Sequence, residues 1–591
     1  MFVLLEDFVP SGQSLRWQSH QQYYQQEGMA VFLRQEVPYN ITSNPCYAEE
    51  VVRLFLAQHE AQHQTQSPIQ EHSHPLRILE LGGGNGVFAY NFFMALERMA
   101  PHLDFHYTLS DFSKPLLSHL STLDAFAHWQ KKDVLTLRTV DASQPGSADD
   151  LKETEPEAVN RGFDLIIANY LFSTFPTEVL LRQENTWHLE KTRLTAPVTH
   201  SVLEQVKHYL NSRNVSAHID NSHPQYTWFE TLYAAQQKVA GEIHNLSRTE
   251  HQELFTSLGE QLIQHWHQTL EQKLSNAVPV KTLQPLLDSL CLNPLKTWLN
   301  EHLITEAQVE RRFFEHGEPF DHPVFLETQP ALTPLSYSPQ MLRALNEWYE
   351  RLSPHGIMVI SDKAVLPTES PEQVKIARHG GTLSHAIHLD LCEQVLQHAT
   401  AQTRLTRHAH HPIQTLLAGQ QLTPTLEDTF AARWIDHPRN MLSHALLEGG
   451  QVLLQSERLE AAYRSLKEAL NYRPTDSTLQ YFCALCCLNE EKYTNALKIL
   501  NQPHDDIFGV FNRDILLAEA YRSTGQFEKA IPCYERSMAY GENALSYYQL
   551  ARCQQALNQK EAALESLKKA HALNPEDEDI LTLQQEIERC V

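Results

Sequence analysis

The chain has 591 residues, of which 42% are hydrophobic and 20% charged. That balance excludes a disordered or fibrous polymer, and the length calls for more than one domain. Lys plus Arg number 47 against 72 Asp plus Glu, a formal net charge of −25, so no nucleic-acid partner is expected without a local basic patch. The nine cysteines follow no disulfide-framework spacing, which suggests a reducing compartment, the cytoplasm. Glu6 and Asp7 make the first residues a poor secretion signal. No apolar run of about 18 residues is present to span a membrane.

Residues 1–74 read as a helical and extended segment. Tyr23-Tyr24, Gly28 and an extended stretch, Asn40-Ile41-Thr42-Ser43-Asn44-Pro45, precede a helix starting near Tyr47. Arg77 to Leu81 then reads as a buried strand, Gly82 to Gly86 as a turn, and Val87 to Met99 as an amphipathic helix. Gly82, Gly84 and Gly86 form G-x-G-x-G, not the dinucleotide fingerprint, but the physics is shared: without Cβ atoms the backbone can approach a ligand at the carboxyl end of a strand. Glu80, just ahead of the turn, is a candidate acceptor for a ligand amine. Phe105 to Leu109 is a second strand leading to Asp111, an acid placed to take both hydroxyls of a ribose. The segment LRTVDAS ends a third strand near Asp141, a candidate partner for an adenine amino group. Phe163 to Asn169 is a near-continuous apolar run, as a parallel strand buried on both faces should be.

The fourth strand and the fifth, Gly356 to Ser361, are separated by 186 residues, about 160 of them an insert, far beyond an ordinary α/β connection. Ser201–Leu210, Trp228–Asn245 and Glu250–Ser275 read as helices, the last with Ser247 and Glu250 in capping-box spacing, so a helical cap over the acceptor site is expected at about 180–337. Ser338, with Pro339 behind it, starts the helix before the fifth strand. Strands alternating with helices argue a doubly wound α/β sheet. The groups His265/His267 and His408/His410/His411 lack metal-ligand spacing and read as exposed polar side chains.

The last quarter repeats. Ala462, Leu466, Ala469 and Pro474 reproduce the spacing of a tetratricopeptide (TPR) unit, and Ala462, Ala496, Ala530 and Ala563 recur every 33 or 34 residues. Gly450, Ala484, Ala518 and Ala551 each stand twelve residues ahead of them. Small residues at both places let paired helices approach. Four units over 443–576 and an end helix near 577–590 follow, a solenoid whose concave surface binds a peptide or protein. Cys483 and Cys486 fall in a repeat helix and read as packing residues, not half of a zinc site.

The ordered set of Glu80, Gly82, Gly84, Gly86, Asp111 and Asp141 resembles the class I S-adenosylmethionine (SAM) dependent methyltransferases. That resemblance implies a Rossmann-like domain over 75–440. It also implies a methionine site at Glu80 and the three glycines, a ribose site at Asp111, an adenine site at Asp141, and Asn169 facing the transferred methyl. The early Tyr-Tyr and Gly, Ala168-Asn169-Tyr170 through Pro176, Asp362-Lys363-Ala364 and His388-Leu389-Asp390-Leu391 are similar in order to the MidA-like family, which includes the mitochondrial arginine methyltransferase of complex I assembly. Tyr170 and Ser173 stand where that family has Glu and Asp. A guanidinium needs carboxylates to orient it, so the likeness stops short of arginine as the acceptor.

The expected activity is methyl transfer from SAM to a protein recruited by the TPR array, with Tyr170, His388 and Asp390 as acceptor-side groups. A small-molecule methyltransferase and a catalytically silent TPR adaptor are the alternatives.

Overall fold

The computed structural model describes residues 2–34, 36–37, 40–65, 74–146, 162–183, 186–197, 308–316, 334–365, 376–379, 381–408 and 412–589. Two compact units emerge, one from residues 1–22 with 176–335 and one from 23–175 with 336–591.

The larger unit holds a seven-stranded sheet. Its strands are β1 (Leu76–Leu81), β2 (Phe105–Asp111), β3 (Leu135–Thr139), β4 (Phe163–Asn169), β5 (Leu352–Lys363), β6 (Gln402–Leu405) and β7 (Ile413–Gly419). They lie in the order β6-β7-β5-β4-β1-β2-β3. Neighbours from β3 through β5 are parallel, whereas β7 runs antiparallel to both β5 and β6. The strand order reverses between β1 and β4, so a ligand crevice opens there at the carboxyl ends. The first five strands stand where the sequence analysis expects them. The strands β6 and β7, of which only β7 is reversed, are additions to it.

Burial explains the sheet. Leu165, Ile166, Ile167 and Ala168 of β4 are fully buried, as are Ile357, Val359 and Ile360 of β5, the signature of strands covered on both faces. Helix α1 (Pro45–Thr65) is capped by Asn44, whose Oδ1 accepts from Tyr47 N at 3.0 Å. Helix α2 (Val87–Met99) buries Phe88, Ala89, Phe92, Phe93 and Leu96 on the core side. Residues 40–43, expected as extended chain, form a helical turn ahead of α1. The Asn44 amide explains the turn, since its Nδ2 also donates to Ile41 O at 3.1 Å and closes it. Helix α3 (Pro339–Tyr349) begins as expected, with Ser338 Oγ accepting from Met341 N.

Four helix pairs follow: α4 (Arg439–Gln455) with α5 (Leu459–Tyr472), α6 (Ser477–Asn489) with α7 (Tyr493–Leu500), α8 (Arg513–Ser523) with α9 (Phe527–Ser537), and α10 (Ala544–Ala556) with α11 (Lys560–Leu573). Helix α12 (Glu578–Arg589) closes the array. Every small anchor lies where two helices touch: Ala462, Ala484, Ala496, Ala518, Ala530, Ala551 and Ala563 have no exposed surface. Cys483, Cys486 and Cys487 are packed in the same core. Helix α7 is short, and residues 501–512 leave the repeat as a loop that sends Ile507 and Phe508 against the core of the seven-stranded sheet.

At its described edges the smaller unit has strands, where the sequence analysis expects a helical cap. Glu178–Gln183, Thr186–Pro197 and Gln308–His316 are antiparallel strands, and Phe2–Pro10 pairs with Thr186–Pro197. Alternation such as Trp187, Leu189 buried beside half-exposed His188 territory carried a strand signal. Residues 2–10, which the sequence analysis groups with 1–74, form a strand of this unit. Ser201–Leu210, Trp228–Asn245, Glu250–Ser275, the Ser247/Glu250 pair and His265/His267 lie outside the described residues.

Candidate functional site

The glycine turn leaves β1 at Leu81 and enters α2 at Val87. Gly82, Gly84 and Gly86 take φ of +64°, +52° and +74°, the left-handed region that only glycine visits at little cost. Gly83 N donates to Ser110 O at 2.8 Å and Gly84 N to Asp111 Oδ2 at 3.2 Å, which pins the turn to the end of β2. A Cβ at Gly84 would lie 2.9 Å from Phe32 Cζ, and one at Gly82 would lie 2.9 Å from Leu171 Cδ1. The turn is therefore covered by two apolar side chains.

Glu80 and Asp111 stand on adjacent strands, each 2% exposed. Tyr107 OH donates to Glu80 Oε2 at 2.9 Å. Burial, with the nearby Asp111 charge adding to it, pushes the Glu80 carboxyl up to about 8. Burial also pushes Asp111 up to about 6, against the pull of N–H donors from Ser113 and Gly84. Tyr24 OH reaches Asp111 Oδ2 at 3.4 Å, and its ring stacks on Phe112 with centroids 5.2 Å apart. Asp141, half-buried beyond β3, accepts from Ser143 N at 2.9 Å, Ser143 Oγ at 2.7 Å and Gln144 Nε2 at 3.1 Å, so it caps its own turn.

Asn169 ends β4. Its Oδ1 lies 2.7 Å from Tyr47 Oη, which lies 2.6 Å from Ser361 Oγ, itself 2.7 Å from Thr415 Oγ1. A phenol has one proton. Since Oδ1 only accepts, Tyr47 donates to it, Ser361 donates to Tyr47 and Thr415 donates to Ser361. The relay turns the amide so that Nδ2 is the free end, buried without a hydrogen-bond partner. Asn85 Nδ2 in the glycine turn is likewise buried and unpartnered.

Beyond Asn169 the chain turns sharply at Tyr170, whose φ is +49°. Lys363 Nζ stands 5.9 Å from the Tyr170 ring centroid and donates to Ser384 Oγ at 3.1 Å. Asp362 is fully buried and accepts from Ser173 N at 2.9 Å and Lys363 N at 2.8 Å; burial pushes it up to about 6. His388 sits just ahead of the helix Leu389–His398 with Nε2 buried and unpartnered, and burial pushes it down to about 4. Asp390 is elsewhere in character: its side chain is 62% exposed and paired with Arg407 at 3.0 Å. His408, expected to be exposed, is half-buried, because the strands β6 and β7 that the sequence analysis omits flank it.

The structure thus brings Glu80, the three glycines, Asp111, Asn169 and Tyr170 to the carboxyl ends of neighbouring strands, and leaves Asp390 apart. Tyr24, Tyr47 and Lys363 are additions. The Tyr-Tyr pair and the lysine closing an apolar strand were the available signals; nothing local in sequence ties Tyr47 to Asn169. Among the described residues no group of three His, Cys, Asp or Glu side chains is placed to hold a metal ion, and no helix is long and apolar enough to cross a membrane.

Residues 52–280 match a family model described as "Putative S-adenosyl-L-methionine-dependent methyltransferase", and residues 515–544 and 544–577 match TPR models. No curated protein matches the chain. Among solved structures, a methyltransferase-like protein from Burkholderia thailandensis with bound S-adenosyl-homocysteine is 9% identical. It covers 71% of this chain and 95% of its own, at a TM-score of 0.35. MamA from Desulfovibrio magneticus RS-1 is 21% identical over 24% of this chain and 82% of its own, at a TM-score of 0.23. YrrB, a TPR protein with an unusual peptide-binding site, is 16% identical over 24% of this chain and 74% of its own, at a TM-score of 0.22. The chain joins an α/β domain matched by a SAM-dependent methyltransferase model to a C-terminal array of TPR repeats.

Proposed function

We propose that this chain, as a MidA-like enzyme of the cytoplasm, transfers the methyl group of SAM to a protein gathered by its TPR array. The observation that carries the reading is the left-handed glycine turn at the end of β1, tied through Gly84 N to Asp111 at the end of β2. The residues fit the group: Asn85 Nδ2 in the glycine turn is a buried N–H donor without a protein acceptor, and a carboxylate or hydroxyl oxygen of the ligand would satisfy it.

Glu80 with Gly82, Gly84 and Gly86 would hold the amino-acid portion, Asp111 the ribose and Asp141 the adenine. When bound, SAM supplies an electrophilic methyl on a sulfonium. The protein's task is then positioning. Tyr47 fixes the Asn169 amide, and the left-handed Tyr170 turn sets one wall of the acceptor side. His388, held as a neutral imidazole by burial, would line the acceptor side without serving as a base. Asp390 has no part in the proposal, because Arg407 engages it on the surface. The TPR array raises the local concentration of its protein ligand. The seven described cysteines are free and buried, which suits a reducing compartment.

The test is calorimetric titration of the purified chain with SAM, repeated on Gly84→Asp. Micromolar binding lost in the variant supports the reading; no binding by the intact chain overturns it. The second reading, a silent adaptor, is favoured by Phe32 and Leu171 lying over the glycine turn, and the same titration decides between them.

A further inference from the structure

Resting on the methyl-transfer reading above, we propose that the acceptor atom is a carboxylate oxygen, held between the Lys363 ammonium and the Asn169 amide. Asn169 at the end of β4 pairs with Ser361, two residues before Lys363 on β5, and Lys363 Nζ lies 5.9 Å from the ring of Tyr170, the residue after Asn169; the polar ends these two side chains offer are donors. Asn169 presents Nδ2, because the Thr415–Ser361–Tyr47 relay occupies its oxygen. Lys363 lies beside the Tyr170 ring, and its Nζ has one hydrogen-bond partner, the neutral Ser384 hydroxyl. Among the described residues no carboxylate comes within ion-pair distance of Nζ.

Among the described residues, the carboxylate that acts on Lys363 is Asp362, and it is already committed. Asp362 points its two oxygens at the Ser173 and Lys363 backbone N–H groups, and it is fully buried. A guanidinium or ammonium acceptor would meet a cation and N–H donors, with no free carboxylate among the described residues to orient it. An incoming carboxylate meets the opposite: a half-buried ammonium, which it helps to keep charged against the pull of burial, and an orphaned amide N–H.

The chemistry agrees with the lining. A lone pair on the carboxylate oxygen forms the new O–CH3 bond while the CH3–S bond breaks and its electron pair goes to sulfur. One negative and one positive charge become a neutral methyl ester and a neutral thioether, S-adenosyl-homocysteine. No proton moves, so no base is required. A protonated nitrogen acceptor does require one, and the histidines at hand, His385 and His388, are pushed down to about 4 by burial, too weak to deprotonate an ammonium or guanidinium.

The experiment has a binding arm and a transfer arm on the full chain. The chain saturated with S-adenosyl-homocysteine is titrated with acetyl-glutamate amide and with acetyl-arginine amide. The glutamate probe is expected to bind the more tightly, to weaken by about tenfold in Lys363→Met, and to recover in Lys363→Arg, about 1.4 kcal/mol for one charged contact. Unchanged affinity for S-adenosyl-homocysteine shows that the variants fold. In the transfer arm, methyl-labelled SAM is incubated with cell extract split into a protein fraction and a small-molecule filtrate. Label released by mild base as methanol supports a carboxylate, and the fraction carrying it tells protein carboxyl groups from free acids. Base-stable label, tighter binding of the arginine probe, or neither binding nor transfer by a chain that binds S-adenosyl-homocysteine overturns the proposal. Failure to bind S-adenosyl-homocysteine or SAM sinks the methyltransferase reading beneath it instead.

Discussion

Asn91 on α2 donates through Nδ2 to Asp505 Oδ2 at 3.0 Å, across 414 residues of sequence. The same nitrogen donates to Ser43 O at 2.9 Å, and Asp505 Oδ1 accepts from Ser477 N at 2.8 Å. Helix α2 is the one that begins at Gly86, so the second TPR unit grips the helix that the glycine turn feeds. The grip exists because α7 stops at Leu500 and frees the following loop to reach across. Ile507 and Phe508 pack against the core of the sheet from the same loop. The array is a fixed part of this unit rather than an arm on a linker.

Asp505→Ala removes the acceptor for two buried donors and is expected to destabilise the unit by about 1–3 kcal/mol. The loss should concentrate at the junction: amide hydrogen exchange in residues 501–512 and at the start of α2 accelerates before exchange in α10 and α11 does. Uniform acceleration along the array would show that the contact has no local role.

Two adjacent glycines in α4 give a sharper test of packing. Gly449 is exposed, and a Cβ there would find only Ser465 Oγ at 3.8 Å; a Cβ on Gly450 would lie 2.5 Å from Leu466 Cγ. Gly449→Ala is expected to stabilise the array by about 0.5–1 kcal/mol through reduced chain entropy. Gly450→Ala is expected to cost about 1–3 kcal/mol by overpacking. Thermal melts of the two variants should move in opposite directions.

Tyr47→Phe tests the relay at Asn169. The fold keeps the ring, which packs at 5.4 Å from Trp434, but Asn169 Oδ1 and Ser361 Oγ lose their shared partner. A stability loss of about 1–2 kcal/mol is expected, together with a lower turnover that Ser361→Thr, which keeps a hydroxyl, does not reproduce. Unchanged turnover in Tyr47→Phe would show that the amide needs no orienting.

Local patterns made much of this legible. The apolar run of β4, the glycine turn and the 34-residue spacing of small anchors each encode their element directly, because burial on both faces, left-handed φ and helix contact admit few residue types. Gly450 and Ala484 were readable for that reason. Residues whose meaning lies across the chain were not: Asn91 needs Asp505, and Tyr47 needs Asn169 and Ser361. Lys363 closes an apolar strand without a local sign that it faces Tyr170. The strand Thr186–Pro197 pairs with Glu178–Gln183 and also with Phe2–Pro10, a register that depends on a partner far away in the sequence.

The buried acids Glu80 and Asp111 give the last prediction its sign. Glu80 rises on folding from an ordinary 4.5 to about 8. Between those values the folded chain holds a proton that the unfolded chain has released, so stability from this group is complete below pH about 4.5 and is lost as pH rises through about 8. Asp111, raised from 3.8 to about 6, acts in the same direction over a lower window. Glu80→Gln keeps an acceptor for Tyr107 and removes the charge, so its melting temperature should exceed that of the parent at pH 8 and match it near pH 4. A cationic amine favours the ionised carboxylate. Binding of SAM at pH 7, one unit below the Glu80 value, should therefore release close to one proton, and affinity should rise between pH 6 and 8. Titration calorimetry in buffers of differing ionisation enthalpy measures that proton. Glu80→Gln should bind SAM more weakly and release none from this site; equal proton release in the variant would remove Glu80 from the amine site.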